Sequence, residues 1–397
     1  MKRKVILGVL LSAWMAGLAN AQVSWDETLE RARGQEVYFN AWGGSEAIND
    51  YILWAADEVR QRYGIRLEHV KADAGDVVSR VLAEKAAGRT NNGTVDLVWI
   101  NGENFAAMKE QGLLREPWTQ QLPNYRYVDE ENKPTVLMDF STPVDHMEAP
   151  WGMAQLVFMY DSRRVSQPPR SMTEMLTFAQ SNPGRVTYPA PPSFFGTTFL
   201  KQALYELTPD PSVLARSTDG VDVAMVTQPL WDFLDDLHAV AWQNGRTFPG
   251  DAPEMKQLLN DGAVLISLSF NPNDAANAIA LGELPPTVRT YVHSGGTIGN
   301  THFVAIPFNA RASEAAMVVA NFLLSPEAQA RKADPAIWGD PTVLSLEKMT
   351  MEQQRWFADI EVGPATLTSE ELAAVLPEPH ASWVSFLEQE WQNRYAR

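Results

Sequence analysis

Four short segments of the chain carry side-chain types that can hold a small polar molecule. They are Trp42-Gly43-Gly44-Ser45, Asn101-Gly102-Glu103-Asn104, Ser193-Phe194-Phe195-Gly196-Thr197-Thr198 and Asn271-Pro272-Asn273-Asp274. Glycines such as Gly44 and Gly196 let a ligand approach the backbone closely. Ser45, Asn101, Asn104, Ser193, Thr197 and Asn271 offer short hydrogen-bonding arms, and Glu103 and Asp274 add carboxylates. Trp42, Trp151, Tyr160 and Phe195 are aromatics that could wall such a pocket or sit in a core. The same small polar residues also favour turns and helix N-caps, so any one segment has a purely structural reading. Four of them, two in each half of the chain, point to binding.

Catalytic patterns are missing by contrast. The sequence has no Walker-type phosphate loop, no G-x-S-x-G elbow and no H-E-x-x-H. His69, His146, His238, His293, His302 and His380 are scattered without metal-ligand spacing. The paired acids Asp235-Asp236 and Glu370-Glu371 sit side by side on predicted helices and so face different directions. No cofactor is implied. A secreted α/β hydrolase whose carboxylates lie far apart in sequence is the alternative from another class.

The binding segments need elements to position them. A buried strand over 37–42 runs into Gly43-Gly44 and a helix over 45–63 that Gly64 ends; a strand over 95–100 runs into a helix over 105–111. Further strands are read at 65–70, 151–160, 185–188, 263–268, 287–293 and 301–307, and helices at 76–87, 194–207, 230–242, 252–260, 273–281 and 313–324. Strand–helix alternation at this spacing predicts a parallel sheet covered on both faces. In such sheets ligands sit beyond the carboxyl ends of the strands, near helix starts. The four segments fall at that position. The last sixty residues, with a Thr368–Glu371 capping box, read as a helical tail.

Composition narrows the class. The 397 residues include no cysteine, which removes disulfides, thiolate metal sites and cysteine nucleophiles. Forty-nine acids against thirty-two bases give a formal charge of −17, the wrong sign for nucleic acid. Lys2-Arg3-Lys4, an apolar run over 5–18 and Ala19-Asn20-Ala21 read as a leader cleaved after Ala21. Its three bases leave with it, taking −17 to −20. The product is expected to be soluble in a bacterial periplasm, with no cysteine to carry a lipid.

Three longer stretches carry more than local structure. Asp96-Leu97-Val98-Trp99-Ile100 leads into Asn101. Pro150-Trp151-Gly152 leads into Leu156-Val157-Phe158-Met159-Tyr160-Asp161. Phe322-Leu323-Leu324-Ser325-Pro326-Glu327-Ala328-Gln329 is the third, and the most specific. In this order they resemble the strand and binding loop, the hinge-crossing strands and a helix junction of the periplasmic solute-binding proteins of ABC importers. Residues 41–49 and 99–105 resemble most the YnjB-type subgroup. The resemblance implies an α/β, two-lobed periplasmic-binding-protein (Venus-flytrap) fold with two hinge crossings and a C-terminal helical tail. Residues 22–150 and 291–397 would form one lobe plus the tail, and 151–290 the other. It also implies one small solute bound between the lobes, a permease and ATPase complex in the inner membrane as partner, and a monomer. Tyr160 and Asn300 would lie near the hinge. Glu103 and Asp274, with Trp42 or Tyr160 adding a cation–π contact, favour a cationic or heteroaromatic solute such as thiamine or a polyamine. A neutral sugar or polyol, or an anion at helix N-termini, are the alternatives that stay open.

Overall fold

The computed structural model describes residues 24–368, 371–372 and 375–396. The leader read over 1–21 lies outside them, as does Glu370. The first part of the chain alternates as its periodicity predicts: α1 (Trp25–Ala32), β1 (Glu36–Ala41), α2 (Glu46–Tyr63), β2 (Arg66–Lys71), α3 (Ala74–Ala86), β3 (Leu97–Ile100) and α4 (Glu103–Glu110). β1 lies between β2 and β3, parallel to both. α2 buries Ile48, Tyr51, Ile52, Ala55 and Val59, one stripe at helical spacing, and ends at Gly64 with φ +70°. The irregular stretch that follows holds a small hairpin, β4 (Met138–Asp139) and β5 (Thr142–Pro143).

β6 (Glu148–Gln155) then carries the chain out of this core. Trp151 is packed in the first core and Leu156 in a second one. β7 (Val157–Asp161) continues directly into a new sheet. Around it come α5 (Met172–Ser181), α6 (Phe194–Leu207), α7 (Val223–Val240), α8 (Ala252–Asn260), β8 (Ile266–Ser269), α9 (Asp274–Ala280) and β9 (Val288–Tyr291). β8 and β9 flank β7, both antiparallel to it. The strand expected over 185–188 forms no ladder. Its carbonyls instead accept single backbone bonds, Arg185 from Leu265 and Val186 from Trp242. Pro189, Pro191 and Pro192 follow at once and have no N–H to extend a ladder.

β10 (Thr297–Ala305) brings the chain back. Ile298 is still in the second core and Val304 is in the first. β10 pairs antiparallel with β6 from Gly299–Gln155 to Ala305–Glu148, with an irregularity between His302 and Phe303, and also with β3. β6 and β10 are thus a paired ribbon joining two lobes. α10 (Ser313–Leu323), α11 (Pro326–Ala333) and α12 (Met351–Ala358) complete the first lobe, and α10 buries every residue from Ala315 to Leu323.

The tail behaves differently from its place in the sequence order. After α12 the chain crosses a third time, adds β11 (Val375–Leu376) beside the start of β10, and ends in α13 (Ala381–Tyr395). Trp383, Leu387 and Trp391 of α13 pack into the second core, not the first. Trp391 Nε1 donates to Tyr188 Oη at 2.7 Å and Trp383 Nε1 to the Arg216 carbonyl at 2.9 Å. The grouping of 291–397 with the first lobe therefore does not describe this helix. An i, i+4, i+8 apolar stripe announces a buried face without saying which core takes it.

Candidate functional site

Between the lobes lies a cavity of about 930 Å³. The carboxyl ends of β1 and β3 open onto it, and so do the starts of α2, α3 and α4. The starts of α6, α8 and α9 face it from the second lobe. Trp42, Gly44, Ser45, Asn101, Glu103, Asn104, Phe195, Thr197, Asn271, Asp274 and Asn300 all line it. Three other candidates do not. Tyr160 stands in β7 edge-on to Tyr291 and packs on the second core. Ser193 is the N-cap of α6. Gly196 is pressed against backbone, where a Cβ would meet the Pro189 carbonyl at 2.4 Å. The glycine in that segment serves packing. Trp151 is likewise fully buried, behind the cavity wall.

The β3–α4 junction is held from below. Gly102 adopts φ +62°, its N–H donates to Asp139 Oδ1 at 2.7 Å, and the Phe140 ring fills the space where a Cβ would stand. Phe140 is itself a non-glycine residue at φ +49°, a strained conformation located at the cavity. Burial raises the Asp139 carboxyl well above its ordinary value, as it does Glu148 beneath it.

The aromatic wall was largely invisible in the sequence. The Trp99 and Trp338 rings are tilted at 55° with centroids 5.9 Å apart and His302 lies parallel to Trp338 at 6.1 Å, with Trp151 edge-on behind Trp99 at 4.9 Å. His302 Nε2 is 3.1 Å from Asp340 Oδ2, which Lys332 also binds. Phe140, Phe194 and Phe270 extend the wall. Phe194 lay inside a segment already singled out, Phe270 one residue before another, and Phe140 in an irregular stretch that gave no signal.

Charge is the informative feature. Both lysines lining the cavity are already neutralised from within. Lys201 Nζ is 2.6 Å from Glu378 Oε2, both fully buried, and sits 4.9 Å above the Phe140 ring. Lys256 lies 3.3 Å from Asp274 and 3.0 Å from Glu283. Burial draws the Lys256 pKa down, but the two carboxylates more than offset this and raise it. Asp274, expected as a carboxylate free for a cation, thus has a resident partner. Glu103 has none: its only side-chain bond among the described residues comes from Asn104 at 3.2 Å. Its surface is open to solvent, yet desolvation by the surrounding protein raises its pKa, against the lowering from its own backbone N–H and the Lys201 charge. Glu388, from α13, accepts from the Thr197 hydroxyl at 2.7 Å. Burial raises its pKa; the Thr197 bond opposes that and the Glu103 charge adds to it.

Asn271 also serves a purpose the sequence did not disclose. Its amide donates to the Trp338 carbonyl at 3.1 Å, while Asn273 and Asn277 donate to Gly339 and Pro335 at 2.7 and 2.8 Å. One face of α9 is thereby fastened to the 335–339 turn of the first lobe. No group of three or more potential ligands is placed to hold a metal among the described residues.

Two α/β lobes on paired hinge strands, with a cavity of fixed acceptors and aromatics between them, define a solute-binding protein of the periplasmic type. The chain belongs to the bacterial extracellular solute-binding protein family, whose profile matches residues 54–345. It is 48% identical over 389 residues to Protein YnjB of Escherichia coli (strain K12), covering 96% of this chain and 98% of that one. Among solved structures, a periplasmic thiamin binding protein matches at TM-score 0.62 and 16% identity over 91% of this chain and 95% of its own. The spermidine/putrescine substrate-binding protein PotD of Streptococcus pneumoniae strain Canada MDR_19A gives 0.59 and 16% over 90% and 99%. The periplasmic binding protein AfuA of Actinobacillus pleuropneumoniae gives 0.61 and 14% over 91% and 99%. At these identities the structures share the fold. The family places this chain as the extracytoplasmic solute-binding component of an ABC importer, with a small molecule and a permease–ATPase complex as partners. Family members are transport components, so the hydrolase alternative has no support. No helix among the described residues is long and apolar enough to cross a membrane.

Proposed function

We propose that the chain binds a small organic cation between its lobes and delivers it to the permease as a monomer, after cleavage of its leader at Ala21 releases it to the periplasm. One lobe comprises 22–150 and the sheet and helices after residue 291, and the other 151–290 together with α13. The observation that carries the ligand class is the charge balance of the cleft. Among the described residues Glu103 and Glu388 form no ion pair, although the Lys201 charge acts on both, whereas Lys201 and Lys256 are each paired with carboxylates of the protein. Among the described residues that line it, an anion would find no lysine without a carboxylate partner. A cation finds carboxylates, the Asn300 and Asn101 amides, and the faces of Trp42, Trp99 and Trp338. The fold alone does not choose, since AfuA is solved with fructose-6-phosphate while the thiamin and spermidine/putrescine proteins are named for cations.

A thermal-shift panel tests this reading. Putrescine, spermidine, thiamine and choline are compared with neutral sugars, polyols and organic anions. A ligand at a hundredfold excess over its Kd stabilises by about 2.7 kcal/mol. Cations are expected to raise Tm while anions leave it unchanged. A shift produced only by sugars or anions would overturn the cation assignment.

A further inference from the structure

The C-terminal helix is where sequence order was least informative, and it supplies a wall of the cavity. α13 is anchored on the second lobe through Trp383, Leu387 and Trp391, yet it also packs against α4 of the first lobe. Val384 and Glu388 line the same cavity as Glu103, in the first turn of α4, and the Glu103 charge acts on Glu388. We infer that Glu388 and Glu103 form a carboxylate clamp that holds one N–H-bearing cationic centre of the solute between the two lobes. The tail helix is then part of the binding site.

A second observation adds an unpartnered acceptor on the same cavity. Asn300, in hinge strand β10, lines the same cavity and is only 4% exposed. Its Nδ2 donates to Glu378 Oε1 at 2.9 Å, which fixes the amide orientation, and its Oδ1 has no hydrogen-bond partner. A buried acceptor without a donor is unfavourable, and a ligand N–H brought against it as the lobes close would relieve that. Lys201 does not fill this role here: among the described residues its ammonium bonds Glu378 Oε2 and not Asn300. Three acceptors thus come from the first lobe, the second lobe and the hinge.

The clamp also gives closure a driving force. With both carboxylates ionised, Glu103 and Glu388 repel across the cleft, and an ammonium between them turns that repulsion into attraction. A ligand that favours one arrangement of the lobes shifts the population by its differential affinity for that arrangement. A neutral solute of the same size would leave the repulsion in place.

This inference rests on the cation reading above, so the experiment separates the two. Full-length protein is titrated calorimetrically with putrescine, choline and thiamine, and the tightest of these serves as the probe. Glu388→Gln and Glu103→Gln are each expected to weaken that probe about tenfold or more, as for loss of a bond to a charged group. Because both act on one centre, the double variant should lose less than the product of the single losses. Glu388→Asp, which keeps the charge one methylene shorter, should fall between wild type and Glu388→Gln and provides the measurement if the Gln variant folds poorly. Wild-type affinity in Glu388→Gln, or singles that multiply in the double variant, would overturn the clamp while the cation reading stands. Wild-type protein that binds none of the three cations would overturn both.

Discussion

The β3–α4 and β8–α9 junctions are written in the same grammar and end in different chemistry. Each is a buried strand, an asparagine, a short turn and an acidic residue in the first helical turn: Ile100-Asn101-Gly102-Glu103 in one lobe, Phe270-Asn271-Pro272-Asn273-Asp274 in the other. Glu103 faces the cleft with no ion pair among the described residues, whereas Asp274 is neutralised by Lys256 from α8, the helix just before its strand. Asn104 bonds only its neighbour, whereas Asn271 and Asn273 fasten the second lobe to the 335–339 turn. One junction leaves its carboxylate unpaired by any base among the described residues, and the other holds the lobes together. An acid at a helix start is therefore not a site in itself. The helix packed beside it decides.

The largest effect should separate the two lysines that serve these junctions. Lys201→Met strands Glu378 in a fully buried place and should cost about 3–5 kcal/mol in urea unfolding. Lys256→Met removes a partly open pair and should cost about 1 kcal/mol or less. Equal costs would erase the distinction drawn here.

Acid should act on the lobes in opposite directions. In the second lobe burial lowers His238 to about 4 in the folded state, while its ring bonds Tyr188 at 2.9 Å. The unfolded chain takes up that proton near pH 6.5, so stability falls as pH drops from 6.5 toward 4, by up to about 3 kcal/mol. In the first lobe Asp139 and Glu148 have folded-state pKa values raised by burial. The folded state binds their protons more tightly, so that lobe gains stability as pH falls through those raised values. Hydrogen exchange at α4 and α7 between pH 7 and 5 should show protection rising in α4 and falling in α7. Replacing His238 with Gln should flatten the second trend. Parallel trends would break the comparison.

Binding should divide the acids themselves. Glu103→Gln is expected to weaken an organic cation about tenfold, as for loss of a bond to a charged group, whereas Asp274→Asn should change affinity by less than about threefold, being screened by Lys256. A loss of the same size in both would show that Lys256 releases Asp274 when ligand enters. The smallest effect concerns the asparagines. Asn277→Ala removes the donor to the Pro335 carbonyl and should cost about 1 kcal/mol in thermal unfolding, with Asn104→Ala near zero.

Much of this architecture was legible because strand and helix periods, capping residues and glycine stops act locally. The stripe of α2 and its Gly64 cap are examples, as are the hinge strands around Trp151 and the segments that open the cleft. Ser193 and Gly196 misled because N-caps and close-packed turns use the same residues as binding loops. Tyr160 misled because a strand alternates faces, and β7 turns that ring into the second core. Lys201 and Glu388 carried no signal: each is a charged residue on a helix, and only the tertiary fold shows what lies opposite. Glu388 in particular required knowing which lobe the tail joins.

One arrangement offers a ruler for the motion itself. Helix α1 packs on α10 of the first lobe while α13 rides on the second, so the first and last described helices travel with different lobes. The native chain has no cysteine. A single thiol introduced on the exposed face of each helix would therefore be unique, and a dye pair attached there would report opening and closing from outside the cleft. The ligand could be found by watching that distance change, before its identity is known.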